Sequence, residues 1–189
     1  MNQASALLEW FHNEVLPDVT KDASIVVGGT SLLREFLTIP ASTPEGGQIS
    51  IAVPFVGPGF ATMLAAWELM PHARIDIVLV TAGQADARRG WNEIGRLPWR
   101  SVIIAVCRRL HAKVYAFVPP SGAAACLIGS HNLTRAAAAR NHEAGVLLLA
   151  SRDPQVAAIV SACQERVMQL MRAGKTYIDT YGCHGGRAA

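Results

Sequence analysis

Three short motifs between residues 111 and 143 bring together side chains suited to chemistry on phosphorus. They are a His-x-Lys pair (His111 and Lys113), a Gly-Ser-x-Asn stretch (129–132) and an Asn-x-Glu stretch (141–143). A neutral imidazole can attack phosphorus, an ammonium group can neutralise anionic oxygens, and hydroxyl and amide groups can donate hydrogen bonds to them. In a chain of this length, these groups fit a phosphodiester better than any other substrate.

A predicted hairpin positions the first motif. Side chains on a strand alternate between its two faces, so a strand through His111 and Lys113 would point both toward one phosphate. The residues up to Val118 favour a strand, residues 119–122 form a turn signal, and residues 123–128 are predicted to return as a second strand. The hairpin therefore ends at the second motif.

A short helix is predicted after that hairpin. Asn132 and Thr134 are both suited to cap a helix over residues 133–140. The backbone N–H groups at the start of such a helix would be free to meet an anion. A further strand is predicted over residues 144–149, directly after the third motif.

The order and spacing of the motifs resemble the signature of the phospholipase D superfamily, in which an HxK pair precedes GSxN and a downstream NxE. The first 100 residues match that family only in general layout. One departure is clear, because the acidic residue that the family places after the lysine is absent and Val118 stands at that position. The matching residues are His111, Lys113, Gly129, Ser130, Asn132, Asn141 and Glu143.

The resemblance implies a role for each catalytic candidate. His111 would attack phosphorus and form a phosphohistidine, while Lys113, Ser130 and Asn132 would contact the non-bridging oxygens. Glu143 would accept a hydrogen bond from the histidine ring and hold its tautomer. The acid of the family is not the nucleophile, so its absence here leaves the proposed chemistry intact.

The resemblance also implies substrate contacts and a partner. Family members supply the leaving-group proton from a second HxK motif, whereas this sequence has one, since His72-Ala73-Arg74 lacks the lysine. A two-fold homodimer would bring two copies of His111 together. No metal and no cofactor are implied, because the cations are side chains. The expected substrate-binding residues are Arg109, Gly129, Thr134, Arg135 and Asn141.

Each candidate has a structural alternative. His111 could be a core histidine, and Glu143 could be an ordinary surface acid. Ser130 and Asn132 could serve only as turn or cap residues. His131 and His142 lie within the motifs, and the sequence leaves open whether they take part. Lys113 on an inward face would need a partner, which a phosphate supplies.

Charge is concentrated around the motifs. Residues 88–140 contain nine Lys or Arg residues and one acid, Glu93, whereas the remainder of the chain is net negative. Such a distribution favours a polyanionic substrate, although solvated helix faces would produce a similar count. We therefore expect a nucleic-acid substrate, with DNA favoured over RNA.

The expected fold is a three-layer α/β/α sandwich with a mixed, largely parallel central sheet. The chain has 189 residues, of which 51% are hydrophobic, and this is enough for one compact core. Residues 1–181 are therefore expected to form one domain, followed by a loose tail over 182–189. The final helix is predicted to begin at Asp153-Pro154 and to bury a stripe that includes Ile159. The remaining predicted elements are helices over 5–15, 31–37 and 60–70 and strands over 24–27, 48–55, 75–80 and 101–106.

No signal peptide and no membrane-spanning run is visible, so a cytoplasmic location is expected. The four cysteines are scattered and are expected to be reduced, and Cys183 with His184 offers too few ligands for a metal site.

The function expected from the sequence is metal-independent phosphodiester cleavage by a DNA endonuclease. One alternative is a phospholipid-cleaving or phosphatidyl-transferring enzyme, and another is a noncatalytic nucleic-acid-binding or assembly subunit. By analogy with family nucleases, other subunits of a restriction or defence system are conceivable partners.

Overall fold

The computed structural model describes residues 23–60, 70–95, 97–121, 124–150 and 153–180. Within these ranges the chain forms eight strands and four α-helices. The predicted helix over 5–15, the tail over 182–189 and nearly all of the helix predicted over 60–70 lie outside the described residues. The strands are β1 (Ala23–Gly28), β2 (Gly47–Ala52), β3 (Ile75–Thr81), β4 (Ser101–Val106), β5 (Val114–Val118), β6 (Ala124–Gly129), β7 (Gly145–Ala150) and β8 (Lys175–Asp179). The helices are α1 (Leu32–Ala41), α2 (Gln84–Ile94), α3 (Arg135–Ala139) and α4 (Pro154–Ala173).

The eight strands form one mixed sheet in the order β1-β7-β6-β5-β2-β3-β4-β8. The prediction of a mixed sheet is confirmed, but the prediction that it is largely parallel is wrong. The pairs β2–β3 and β3–β4 are parallel, and the other pairs among the described strands are antiparallel. The short turn between β5 and β6 cannot carry the crossover that parallel strands need. An apolar strand pattern does not reveal strand direction.

Helices cover both faces of the sheet, which confirms the three-layer architecture. Alternate residues of β2 show the division, because Ile49 and Ile51 belong to the core beneath α1 and α2, whereas Ala52 belongs to a cluster beneath α4. On the first face Phe36 and Leu79 are fully buried. Sheet residues packed under α4 are mostly smaller, for example Ala52, Ala116 and Cys126.

Local sequence chemistry predicts the start of α4 correctly. Asp153 accepts hydrogen bonds from the backbone N–H groups of Gln155 (2.8 Å) and Val156 (3.2 Å), so it is the N-cap. The prediction of a buried stripe is confirmed for Val156 and Val160. It is wrong for Ile159, because 45% of the surface of this residue is exposed.

Two elements have no clear pattern in the sequence, namely α2 and β8. Most of α2 is polar, and it packs on the sheet through small residues such as Gly90, where a Cβ would lie 2.4 Å from Leu79 Cδ2. β8 is an edge strand with four of its five residues exposed, so it shows no alternation. Cys107, Cys126 and Cys163 are free thiols, as expected.

Asp76 anchors the end of the sheet where β3 and β4 begin. Its Oδ1 accepts hydrogen bonds from Arg100 Nε (2.8 Å) and Ser101 Oγ (2.7 Å), and a second Arg100 nitrogen pairs with Oδ2. Burial raises the pKa of the Asp76 carboxyl, but the hydrogen bonds from Arg100 and Ser101 and the arginine charge outweigh burial and lower it. The folded state therefore favours the carboxylate.

Asp76→Asn should lower the free energy of unfolding by about 1 kcal/mol at pH 7, because the variant loses hydrogen bonds to a carboxylate. The loss is small because the Arg100 side chain is largely exposed to solvent. A lowered folded-state pKa contributes stability above the unfolded pKa and loses it as pH falls. The gap between wild type and variant in urea unfolding should therefore shrink below about pH 4. A gap of constant size from pH 7 to pH 3 would contradict this assignment.

Candidate active site

Backbone pairing brings the three motifs together at one end of the sheet. At this end β6 finishes and β5 and β7 begin, since Val114 pairs with Ile128 and Gly129 pairs with Gly145. The Gly129 N–H donates to the carbonyl of Lys113 at 3.2 Å, and the Ser130 N–H donates to the carbonyl of Ala144 at 2.9 Å. We call this the motif end. It holds HxK, GSxN and NxE side by side.

The HxK pair lies just before β5, so its prediction as part of a strand is wrong in detail. The neighbouring strand β2 ends at Ala52, opposite Val114, and Val53 N instead donates to the Val80 carbonyl at 3.0 Å. His111 and Lys113 therefore lie before the first residue of β5 that pairs with β2. His111 is exposed and Lys113 is half-buried, and Lys113 Nζ donates to the His111 carbonyl at 3.0 Å.

Glu143 is bound by Ser130 of the GSxN motif and by Asn141 of its own motif. Ser130 Oγ donates to Glu143 Oε2, and Asn141 Nδ2 donates to Glu143 Oε1 at 3.0 Å. The Ala144 N–H donates to Ser130 Oγ at 3.0 Å, which fixes the hydroxyl. The carboxylate thereby connects GSxN to NxE.

The predicted hydrogen bond from His111 to Glu143 is not formed between the described residues of one chain. β6 lies between β5 and β7, so the segments that carry His111 and Glu143 are two strand spacings apart, about 10 Å. Ser130, at the end of the intervening strand, is closer to the carboxylate. The sequence shows the spacing along the chain but not this lateral order.

The residues after Ser130 form a tight connection to α3. Thr134 Oγ1 accepts from the Ala137 N–H at 3.1 Å, so Thr134 is the cap and the Asn132 side chain is not. The helix is shorter than predicted because Leu133 instead bridges to the segment after β2, with Gly57 N donating to the Leu133 carbonyl at 2.9 Å. Asn132 is half-buried, and its Oδ1 is buried without a hydrogen-bond partner.

His131 is a buried residue that the sequence did not distinguish from its neighbours. It is completely buried, and Nε2 donates to the Gly29 carbonyl at 2.9 Å, since a carbonyl can only accept. Tyr115 Oη donates to the His131 carbonyl at 3.1 Å. A Cβ on Gly129 would lie 2.4 Å from the Ala144 carbonyl oxygen, so this close packing requires glycine. His142, in contrast, is exposed.

No protein-family model matches the sequence, and no curated protein matches it. Among solved structures, NucT from Helicobacter pylori is similar over 82% of this chain and 99% of its own, with 11% identity and a TM-score of 0.52. Nuc from Salmonella typhimurium, a phospholipase D family member, is similar over 82% of this chain and 98% of its own, with 17% identity and a TM-score of 0.49. The chain has a phospholipase D-like fold. The resemblance predicted from the motifs is confirmed at this level.

The pairing of β5 shows where Val118 lies relative to the motif end. β5 runs away from the motif end, and Val118 pairs with Gln48 at the opposite end of the sheet. Its side chain packs against the apolar cluster beneath α4 that contains Ala116 and Cys126. Val118 therefore takes a packing role, and an acid at this position would not reach His111.

Several charged or ionisable groups lie near the motif end. Burial raises the pKa of Tyr115, and the negative charge of nearby Glu143 raises it further. Arg109 and Arg135 are exposed on either side of the motifs, and Arg109 has a positive φ of 64°, which is uncommon outside glycine. The described residues contain no cluster of three or more potential metal ligands.

None of the helices in the described ranges has the length and apolar character needed to cross a bilayer.

Proposed function

We propose that this protein is a metal-independent phosphodiesterase that cleaves nucleic acid, and that its substrate is DNA. The observation that supports this most strongly is the pairing at the motif end, where two backbone hydrogen bonds hold the HxK, GSxN and NxE segments next to each other. His111 is exposed there and can meet a substrate. Lys113 lies beside it and supplies a cation.

The reaction would proceed in two displacements. The neutral imidazole of His111 attacks phosphorus, a P–N bond forms, and the P–O bond to the leaving oxygen breaks as that oxygen takes a proton. Water then attacks the phosphohistidine and gives a proton to the group that protonated the leaving oxygen, the P–N bond breaks, and the neutral imidazole is released. Lys113 and the Asn132 amide stabilise charge on the non-bridging oxygens in both steps. Ser130, Asn141 and Glu143 hold the loop that presents Asn132.

The leaving-group proton needs a second acid, because the His111 nitrogen that attacks phosphorus carries no proton to give. We propose that a two-fold homodimer supplies it from a second copy of His111. A two-fold axis at the motif end would place the same exposed residues of two chains opposite each other. One shared site per dimer follows from this arrangement.

Nucleic acid is favoured as substrate by the charge of the surface around the motifs. Arg108, Arg109, Arg135 and Arg140 are all exposed near the motif end. Long-range attraction to a polyanion is the expected effect of such a surface. A second candidate function is noncatalytic nucleic-acid binding with the same fold, and it is favoured by the engagement of Glu143 with Ser130 and Asn141 instead of His111.

The test is incubation of the purified protein with plasmid DNA, RNA and phospholipid vesicles, each with and without excess EDTA. We expect DNA cleavage at the same rate with EDTA, because side chains carry the charge that a metal would otherwise supply. Activity that disappears in EDTA and returns with Mg²⁺ would contradict the mechanism. Binding of DNA without cleavage would select the noncatalytic function, and cleavage of vesicle lipids alone would select a phospholipase.

A further inference from the structure

Three arginines converge on one cavity beside the motif end. Arg34, Arg135 and Arg140, together with Ala139, line a cavity of about 270 Å³. All three arginines are exposed. Within the described ranges, none of them forms a salt bridge or a side-chain hydrogen bond, whereas Arg89, Arg100 and Arg172 each pair with a carboxylate.

The cluster is built by two packed elements and not by one loop. Arg34 lies in the first turn of α1, Arg135 begins α3, and Arg140 directly follows it. α1 packs against α3. The Thr30 hydroxyl, just before α1, donates to the Asn141 carbonyl, just after Arg140. The fold therefore sets the relative positions of the backbone segments that carry the three arginines.

The cluster is next to the candidate site along the chain and in space. α1 begins where β1 ends, and Gly28 at that point pairs with Gly145 at the start of β7. Arg140 precedes Asn141, whose side chain bonds to Glu143. A substrate bound at His111 that extends across β6 and β7 would meet these arginines next.

The chemistry of the cavity selects its ligand. Three guanidinium groups without carboxylate partners repel one another, and an anion that accepts several hydrogen bonds relieves that repulsion. The planar fork of arginine matches the oxygens of a phosphate in a bidentate way, which a lysine cannot reproduce.

We propose that Arg34, Arg135 and Arg140 form a second phosphate-binding site, which holds a backbone phosphate further along the nucleic-acid strand than the one at His111. This inference deepens the proposed function and rests on it for the identity of the polymer. The site positions the strand and takes no part in bond breaking. It also predicts a minimum substrate length, because a single nucleotide cannot reach both sites.

The experiment measures binding without cleavage, in the His111→Ala background. Fluorescence anisotropy with labelled single-stranded and duplex DNA is recorded over a range of salt concentrations. Arg34→Gln with Arg140→Gln should weaken binding about tenfold or more at low salt and reduce the slope of log K against log salt by roughly 0.9 on duplex DNA, since one phosphate contact is lost. The matched control is Arg166→Gln with Arg172→Gln, which removes the same charge from exposed positions on α4, on the other face of the sheet.

The outcomes separate this site from the proposed function. An equal loss in the matched control, or an unchanged slope in the Arg34 and Arg140 variant, would overturn the site even if the wild type cleaves DNA. A wild type that does not cleave, together with the expected change in slope, would reject the nuclease and keep the phosphate site. If the glutamine variant has a lower thermal midpoint than the control, Arg34→Lys with Arg140→Lys is measured. The lysine variant keeps both positive charges but cannot bind a phosphate in a bidentate way. Weaker DNA binding with an unchanged salt slope would support the proposed site, and unchanged DNA affinity would overturn it.

Discussion

Replacing His111 with alanine should reduce DNA cleavage to background, because the variant loses the nucleophile and, in a homodimer, the proton donor as well. Removal of such a nucleophile leaves only the rate supplied by binding and charge stabilisation. The measurement is single-turnover cleavage of a labelled duplex. His142→Ala is the matched control, since His142 is an exposed histidine at the same end of the sheet. It should cleave at about the wild-type rate.

A His111→Ala protein with native circular dichroism and near wild-type cleavage would refute the site. The same variant also tests the shared site of the homodimer. Mixed with wild-type protein under conditions in which subunits exchange, it should lower activity by more than dilution, since a mixed dimer has only one His111. Activity that falls in simple proportion to the wild-type fraction, with light scattering that reports a 20.2 kDa monomer, would contradict the dimer.

Replacing Lys113 with alanine should slow the chemical step by about 100- to 1000-fold, the usual effect of losing one group that stabilises an oxyanion. The ammonium lies 3.0 Å from the carbonyl oxygen of His111, so it is next to the residue proposed as the nucleophile. The rate under single-turnover conditions with saturating protein reports this step without the effect on binding. Lys175→Ala, which removes an exposed lysine at the start of β8, is the control for charge alone.

Lys113→Arg should recover part of the rate, because it keeps the charge but changes the position of the donors. A Lys113→Ala variant that binds DNA more weakly but cleaves bound DNA at the wild-type rate would contradict this role. It would show that Lys113 contributes to substrate binding and not to stabilisation of the transition state. The two controls, at His142 and Lys175, distinguish loss of a specific group from general loss of charge or fold.

Several features of this protein follow from local sequence alone. The strands around Ile77 and Ile103 were predicted within one or two residues, because continuous apolar runs of that length are typical of covered strands. The sequence also indicates two helix starts from single capping side chains. Asp153 is the one candidate cap for α4, and Thr134 is one of two candidate caps for α3. These predictions succeed because a strand pattern or a cap depends on residues only a few positions apart.

The motifs themselves also follow from the sequence, and their resemblance to the phospholipase D superfamily led to the correct fold. The roles of the site residues remain predictions. The structure places Ser130, Asn141 and Glu143 in one hydrogen-bonded group and places the HxK segment beside Gly129. Whether this group acts on DNA is decided by the experiments above.

Other features were decided only by tertiary structure. The partner of Glu143 depends on β6 lying between β5 and β7, and the burial of His131 depends on β1 pairing with β7 from more than 100 residues away. The convergence of Arg34 with Arg140 has the same origin. Lateral strand order is set by the free energy of packing the whole sheet between two helical layers, which no short stretch of sequence contains. Local patterns therefore determine which elements form and which groups they carry, and the packed sheet determines which of those groups meet.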